Sequence, residues 1–156
     1  MLDIEIREAD YRDEGQAAEV LRLTDMYARD VMGMEEPLPN ATRINLIHEL
    51  AEMPNAFTLL AFRDGAAVGI ANCFVGFSTF EGQKLINIHD LAVVPEWRGL
   101  GIGKKLLRAV QHKARKLKCC RITLEVREDN PAIDLYERFG FDNGDPRMLF
   151  MSKELY

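Results

Sequence analysis

The succession of apolar and turn-forming segments predicts an α+β fold built on one mixed sheet, in the order β-α-α-β-β-β-α-β-α-β. Three observations carry this expectation. An apolar strand at residues 86–94 runs into a glycine-bearing turn and then into an amphipathic helix. Two hairpin signals, Asp64-Gly65 and Glu81-Gly82-Gln83, precede that strand and make a three-strand meander. Helical periodicity lies ahead of the meander, and strand, helix and strand follow the amphipathic helix. With 156 residues the chain has room for one domain, 1–156, with a sizeable core, and none for a second.

The elements follow in order. Residues 4–7 alternate apolar and charged side chains, as a first strand does. From 13 to 31 a helix carries Ala17, Val20, Leu21, Thr24, Tyr27 and Val31 on one face, and Gly33 with Pro37 and Pro39 ends it. Asn40 or Thr42 caps a second helix with Ile44, Ile47 and Leu50 inward, stopped by Pro54. Residues 57–62 and 68–77 form the first hairpin. The strand at 86–94 holds the branched residues Ile86, Ile88, Val93 and Val94, and Pro95 stops its pairing. Ile102, Leu106, Leu107, Val110, Ala114 and Leu117 then recur at helical spacing. Residues 121–126 alternate as a strand, and Asn130-Pro131 opens a helix that presents Ala132, Leu135, Tyr136 and Phe139 before the Gly140 cap. Residues 148–151 are expected to be the last strand.

Composition narrows the class. The chain is 47% apolar and 29% charged, and none of its apolar runs approaches the ~20 residues of a membrane span. The acidic start MLDIEIREAD lacks the regions of a signal peptide, so a cytoplasmic location is expected, with no membrane partner. Cys73, Cys119 and Cys120 are odd in number and fall at no ligand spacing; reduced thiols are expected, with neither a disulfide framework nor a metal. The net charge of −5 is unevenly spread: residues 1–56 hold 13 Asp/Glu against 5 Lys/Arg, whereas residues 97–124 hold nine Lys/Arg and no acid. Either both stretches are solvated helix faces, or the basic one lies near a phosphate-bearing ligand and the acidic one near a cation. An acidic protein without interleaved aromatic and basic residues is not expected to bind nucleic acid.

The turn after the central strand has the chemistry of a phosphate site. Gly99, Gly101 and Gly103 permit positive φ and close approach of a pyrophosphate to the amides of Arg98, Gly99, Leu100, Gly101, Ile102, Gly103 and Lys104 at a helix N-terminus. A dinucleotide GxGxxG fails, because Lys104 or Leu106 stands where its last glycine belongs, and a Walker loop has no match. What remains, Arg98-x-x-Gly101-x-Gly103, resembles the acyl-CoA loop of the GNAT acetyltransferase superfamily. The stretch NPAIDLYERFGF is similar to that family's late motif, at Asn130, Ala132, Leu135, Tyr136, Glu137, Gly140 and Phe141. Together the two motifs cover 85–141, and the first third resembles nothing specific. The segment GFSTFEGQKLINIHDLAV also looks similar to the polyamine and small-amine branch, with Asp90 at its acidic position and His89 where that branch often has Glu.

The resemblance implies a GNAT-like acyl-CoA N-acyltransferase fold and transfer of an acetyl group from acetyl-CoA, as cosubstrate, directly to a primary amine. A small cationic amine is the expected acceptor. The pantetheine would pair with the strand edge at Leu91, Ala92 and Val93, and Tyr136 would protonate the departing CoA sulfur. Asn130 would touch the pantetheine region as well as cap its helix. Asp90 would hold the cation or relay a proton to water, and His89, with an ordinary pKa near ~6.5, would be the other base. Alternation on a strand puts His89 and Asp90 on opposite sides, so that only one faces a given substrate. A protein N-terminal or lysine acetyltransferase, an acyl-CoA-binding sensor or interaction module, and a nucleotide-binding regulator are the alternatives. Assembly as a homodimer is left open.

Overall fold

The computed structural model describes residues 2–156, as two compact units that meet in sequence at Leu124 and Glu125. In the first unit five strands form one sheet in the order β1 (Glu5–Glu8), β2 (Ala56–Arg63), β3 (Ala66–Ser78), β4 (Gln83–Val93) and β5 (Arg121–Leu124). All neighbours are antiparallel except β4 and β5, which are parallel and joined through α3 (Ile102–Lys116). The mixed α/β architecture and the strand order agree with the expectation. Asp64 and Gly65, at φ 51° and 82°, give the tight β2–β3 turn whose left-handed pair matches strand twist.

Helices α1 (Glu14–Arg29) and α2 (Asn40–Glu52) cover one face of the sheet. Asp13 caps α1 by accepting the Gln16 N–H at 3.0 Å. Val20, Leu23 and Leu50 pack on Leu60, Ile70 and Ala92, each fully buried Leu or Ile contributing about 1.5–3 kcal/mol. The inward stripe of α1 therefore runs through Leu23 rather than Leu21, and Val31, 56% exposed, lies beyond the helix end at Arg29. On α2 it is Leu46, Ile47 and Leu50 that turn inward, and Ile44 stays 78% exposed. Neither Asn40 nor Thr42 caps that helix: Pro39 precedes its first turn without a side-chain bond.

Helix α3 lies on the opposite face and buries Ile102, Leu106, Leu107, Val110 and Ala114. Its approach is set by Gly69 of β3, where a Cβ would stand 3.0 Å from Ile102 Cγ2 and 3.2 Å from Leu106 Cδ1. The missing side chain lets the first turn of α3 settle on the sheet. None of the helices among the described residues is long and apolar enough to cross a membrane.

The second unit, Glu125–Tyr156, contains α4 (Ile133–Phe139), closed by Gly140 at φ 110°. Asn130 is not the expected N-cap: Ala132 holds that position, and Asn130 Oδ1 accepts the Ala132 N–H at 2.8 Å in the turn that leads into α4. The last strand does not form. Asp142 Oδ1 accepts the Gly144 N–H and Met148 N–H reaches the Asn143 carbonyl, so the chain is still turning as the apolar run begins. Residues 148–151 then carry no ladder, and Met151 is 84% exposed. Apolar composition favours a strand, but only a pairing partner makes one.

Candidate active site

The centre of the candidate site is the C-terminal half of β4. β3 pairs along β4 as far as Gly69 opposite Val93, whereas β5 pairs only with Leu85 to Ile88. Beyond Ile88 the β5-side edge of β4 has no strand partner among the described residues. Leu91, Ala92 and Val93 therefore present a strand edge that an extended, amide-bearing ligand can pair with.

The chain leaves that edge through one 3-10 turn, Pro95–Trp97, and reaches the glycine loop. Gly99 and Gly101 have φ of 76° and 84°, a region that costs an L side chain about 1–2 kcal/mol. A Cβ on either would meet nothing within 4 Å, so the glycines answer to backbone conformation and leave open space above the loop. Lys105 N–H closes the first helical turn on the Gly101 carbonyl at 3.1 Å. The amides of Ile102, Gly103 and Lys104 thus stand at the positive end of α3, the arrangement that attracts an anion. Leu100 is exposed at the tip of the loop, while the buried Ile102 side chain anchors its base.

Arg98 is placed differently from the expected charge beside the glycines. Its Nε donates to the Val93 carbonyl and its Nη2 to Asp30 Oδ2, both at 2.9 Å. The loop is thereby tied to the end of α1, across 68 positions of sequence. The Met32 N–H first, and then the Arg98 guanidinium, hold the Asp30 carboxyl below the usual carboxylate range.

His89 and Asp90 do not lie on opposite sides. Asn72 pairs with Asp90 and Cys73 with Ile88, so His89 is an extra residue, a β-bulge in β4. Ile88 and Asp90 therefore face opposite ways despite their spacing of two. His89 sets its ring edge-on to Phe74 at 5.7 Å, and Asp90 Oδ2 accepts Asn72 Nδ2 at 3.0 Å. Asn72 and Phe74, two apart on β3, share the face that α1 and α2 cover. The bulge thus brings the exposed His89 and the half-buried Asp90 together on that face.

Asp90 also has companions that sequence reasoning missed. Asn72 Nδ2 reaches Thr24 Oγ1 of α1 at 3.1 Å, Asn72 Oδ1 accepts Thr58 Oγ1 at 2.8 Å, and Thr58 Oγ1 is 2.8 Å from the Tyr11 hydroxyl. The sequence did hold a signal, because Thr58 and Asn72 are polar residues inside otherwise apolar strands. Beside them, burial first and then the Asp90 charge push the Cys73 thiol up to about 12, which keeps it protonated and unreactive.

Tyr136 and Asn130 belong to the second unit. Tyr136 is buried, its ring edge-on to Phe141 at 6.0 Å, and Phe141 N–H bonds back to the Tyr136 carbonyl. Some acids of the N-terminal third are in ion pairs: Asp25 with Arg29 and Arg43, Asp30 with Arg98, Glu19 with Arg22, Glu8 with Lys113. Of these acids, only Asp30 and Glu8 take their base from outside residues 1–56, so the pairs reduce the net negative charge of that stretch little.

The strand edge and the glycine loop both lie within the stretch that a known family's model matches. The model of the acetyltransferase (GNAT) family matches residues 20–141. This chain belongs to the GNAT acetyltransferase family. Among its relatives, a Bacillus subtilis (strain 168) protein provisionally described as a ribosomal protein bS18-alanine N-acetyltransferase is 33% identical over 104 residues, 66% of this chain and 65% of that protein. The Bacillus subtilis (strain 168) spermine/spermidine N(1)-acetyltransferase is 52% identical over 52 residues, 31% of this chain and 34% of that one. The chain thus spans less than two thirds of the length of these two curated relatives. A solved structure described as a transcriptional regulator from Bacillus halodurans C-125 superposes with a TM-score of 0.80 at 24% identity, over 97% of this chain and 100% of that one, a likeness of fold.

Proposed function

We propose that this GNAT acetyltransferase moves an acetyl group from acetyl-CoA directly to the primary amine of a small cationic acceptor, the two compact units working as one domain. The observation that carries the reading is the continuity of an unpaired β4 edge with the glycine loop and the start of α3. Leu91, Ala92 and Val93 would pair with the pantetheine, and the Val93 amide region would polarise the thioester carbonyl. The amides of Gly99 to Lys104 would receive the pyrophosphate, with Arg98 keeping the loop in place through Asp30 and Asn130 lying near the pantetheine. Asp90 would hold the cationic amine, and His89, now on the same face, or a water would take its proton. As the nitrogen bonds to the carbonyl carbon and the C–S bond breaks, Tyr136 would give its proton to the sulfur. The late motif around Tyr136 lies inside the family match, which runs through both units.

The match to a spermine/spermidine acetyltransferase supports a polyamine-like acceptor. A second reading, a protein amino terminus, draws on the longer match to a ribosomal-protein alanine acetyltransferase. Turnover of acetyl-CoA with spermidine, an aminoglycoside and an alanine-ended peptide decides between them. The first reading expects spermidine or the aminoglycoside to give the highest kcat/KM, falling with added salt; a higher value for the peptide overturns it in favour of the second.

A further inference from the structure

The side chains around Asp90 fix one another's roles. A carboxylate only accepts hydrogen bonds, so the Asn72 atom 3.0 Å from Asp90 Oδ2 must be the amide nitrogen. The amide oxygen of Asn72 then faces Thr58, whose single hydroxyl proton goes to it across 2.8 Å. Having spent that proton, Thr58 Oγ1 can only accept from Tyr11, so the Tyr11 hydroxyl is the donor of their 2.8 Å contact. Three hydrogen bonds from β2, β3 and the loop before α1 thus run in one direction, Tyr11 to Thr58 to Asn72 to Asp90. Thr58 is 0% and Asn72 6% exposed, so water cannot stand in for a missing link. Tyr11, at the outer end, lines a pocket of about 410 Å³ with Asp10, Arg12 and Phe57.

We infer that Asn72, oriented by Thr58 and Tyr11, is the positioning residue that holds the Asp90 carboxylate toward the acceptor amine. Aligned donors polarise one another, and a bond that ends on a charge is the strongest of such a chain. Asp90 Oδ2 is taken by Asn72, whereas Oδ1 accepts no hydrogen bond among the described residues, so the network selects which oxygen meets the cation. The bulge at His89 makes this possible, because without it Asp90 would face the other side of the sheet, away from Asn72. The inference rests on the proposed role of Asp90.

Its test uses the full chain, with spermidine as acceptor and each substrate varied in turn while the other is saturating. Thr58→Val removes the hydroxyl and keeps the shape, Thr58→Ser keeps the hydroxyl and loses a methyl, and Tyr11→Phe removes the first donor. Each is made alone and with Asp90→Asn. Loss of a bond between neutral groups is worth roughly 2-fold to 10-fold, so Thr58→Val should lower kcat/KM for spermidine by about 5-fold. The KM for acetyl-CoA should stay unchanged, Thr58→Ser should stay within about 2-fold of the wild type, and Thr58→Val should add nothing to Asp90→Asn. A packing role orders the two Thr58 variants the other way, because serine leaves a methyl-sized void and valine does not. Equal loss in both variants, or a full Thr58→Val loss persisting on Asp90→Asn, overturns the inference alone. An Asp90→Asn protein with unchanged kcat/KM overturns the role of Asp90, and the inference with it. If Thr58→Val does not fold, Tyr11→Phe at the rim carries the same comparison, with an expected loss of about 3-fold that vanishes on Asp90→Asn.

Discussion

The glycine loop at 98–104 and the row Tyr11–Thr58–Asn72–Asp90 differ in every respect that matters for a binding site. The loop is made of consecutive residues, works through backbone amides, and is held by the left-handed Gly99 and Gly101 and by the buried Ile102. The row is made of side chains from four segments, and its central members are shut off from water. A ligand with invariant phosphates suits the first design, since amides at a helix start recognise charge without needing a particular side chain. A ligand that is to be selected by charge and position suits the second. On the proposed reading the two substrates would be recognised by physically independent parts, so damage to one should leave the other's affinity intact.

Kinetics can break that separation, and the largest expected effect belongs to neither part. Tyr136→Phe should lower kcat on the order of 100-fold to 10,000-fold, the worth of a general acid, with both substrate affinities kept. A rate within a factor of three of the wild type removes Tyr136 from the mechanism.

Next in size, Gly101→Val places a β-branched residue at φ 84° and should weaken CoA binding by at least about 10-fold, at a strain cost of 1–2 kcal/mol or more. Calorimetry on the folded variant measures this. Unchanged CoA affinity refutes the loop as the pyrophosphate site, and an equal loss of spermidine affinity refutes the independence of the two parts.

Asp90→Asn sharpens the comparison from the other side. It should lower kcat/KM for spermidine by about 10-fold and flatten its salt dependence, because screening acts within about 8–10 Å at ordinary ionic strength. The CoA affinity should not change. A variant that keeps the wild-type salt slope shows that steering comes from elsewhere.

The smallest effect concerns the tether between loop and helix. Asp30 has a folded-state pKa below its unfolded value, so its contribution is present above the unfolded pKa and is lost as pH falls through the folded one. Asp30→Asn should lower the thermal midpoint by about 2–4 °C at pH 7, and the difference should close as pH drops below ~3.9. A gap that persists unchanged in acid means that something other than the charge of Asp30 is at work.

Much of the loop was legible. Arg98, Gly101 and Gly103 stand between an apolar strand and an apolar helical stripe, and each of these is a local pattern that local geometry obeys. The tether of Arg98 was not, since nothing near Arg98 in sequence announces Asp30. Nor was the pairing of His89 with Asp90 on one face. Strict alternation is the right expectation for a regular strand, and it fails where one strand carries a residue that its partner does not match. Ile44 and the run 148–151 failed for a related reason: one had the spacing and the other the apolar composition of a buried element, but among the described residues no packed surface meets the first and no strand the second.

By itself the sequence determined the element order as far as α4, the hairpins at Asp64-Gly65 and Gly82, the glycine loop and the helices that bury Val20, Leu106 and Tyr136. These depend on φ preference, capping and hydrophobic period, all of which act over a few residues. Only the tertiary structure decided the β4 bulge, the free edge beyond Ile88, the Asp30–Arg98 tie and the donor row that ends on Asp90. Those depend on register between strands and on which side chains meet across the sheet. Register is a property of two segments at once, and a single stretch of sequence does not contain it.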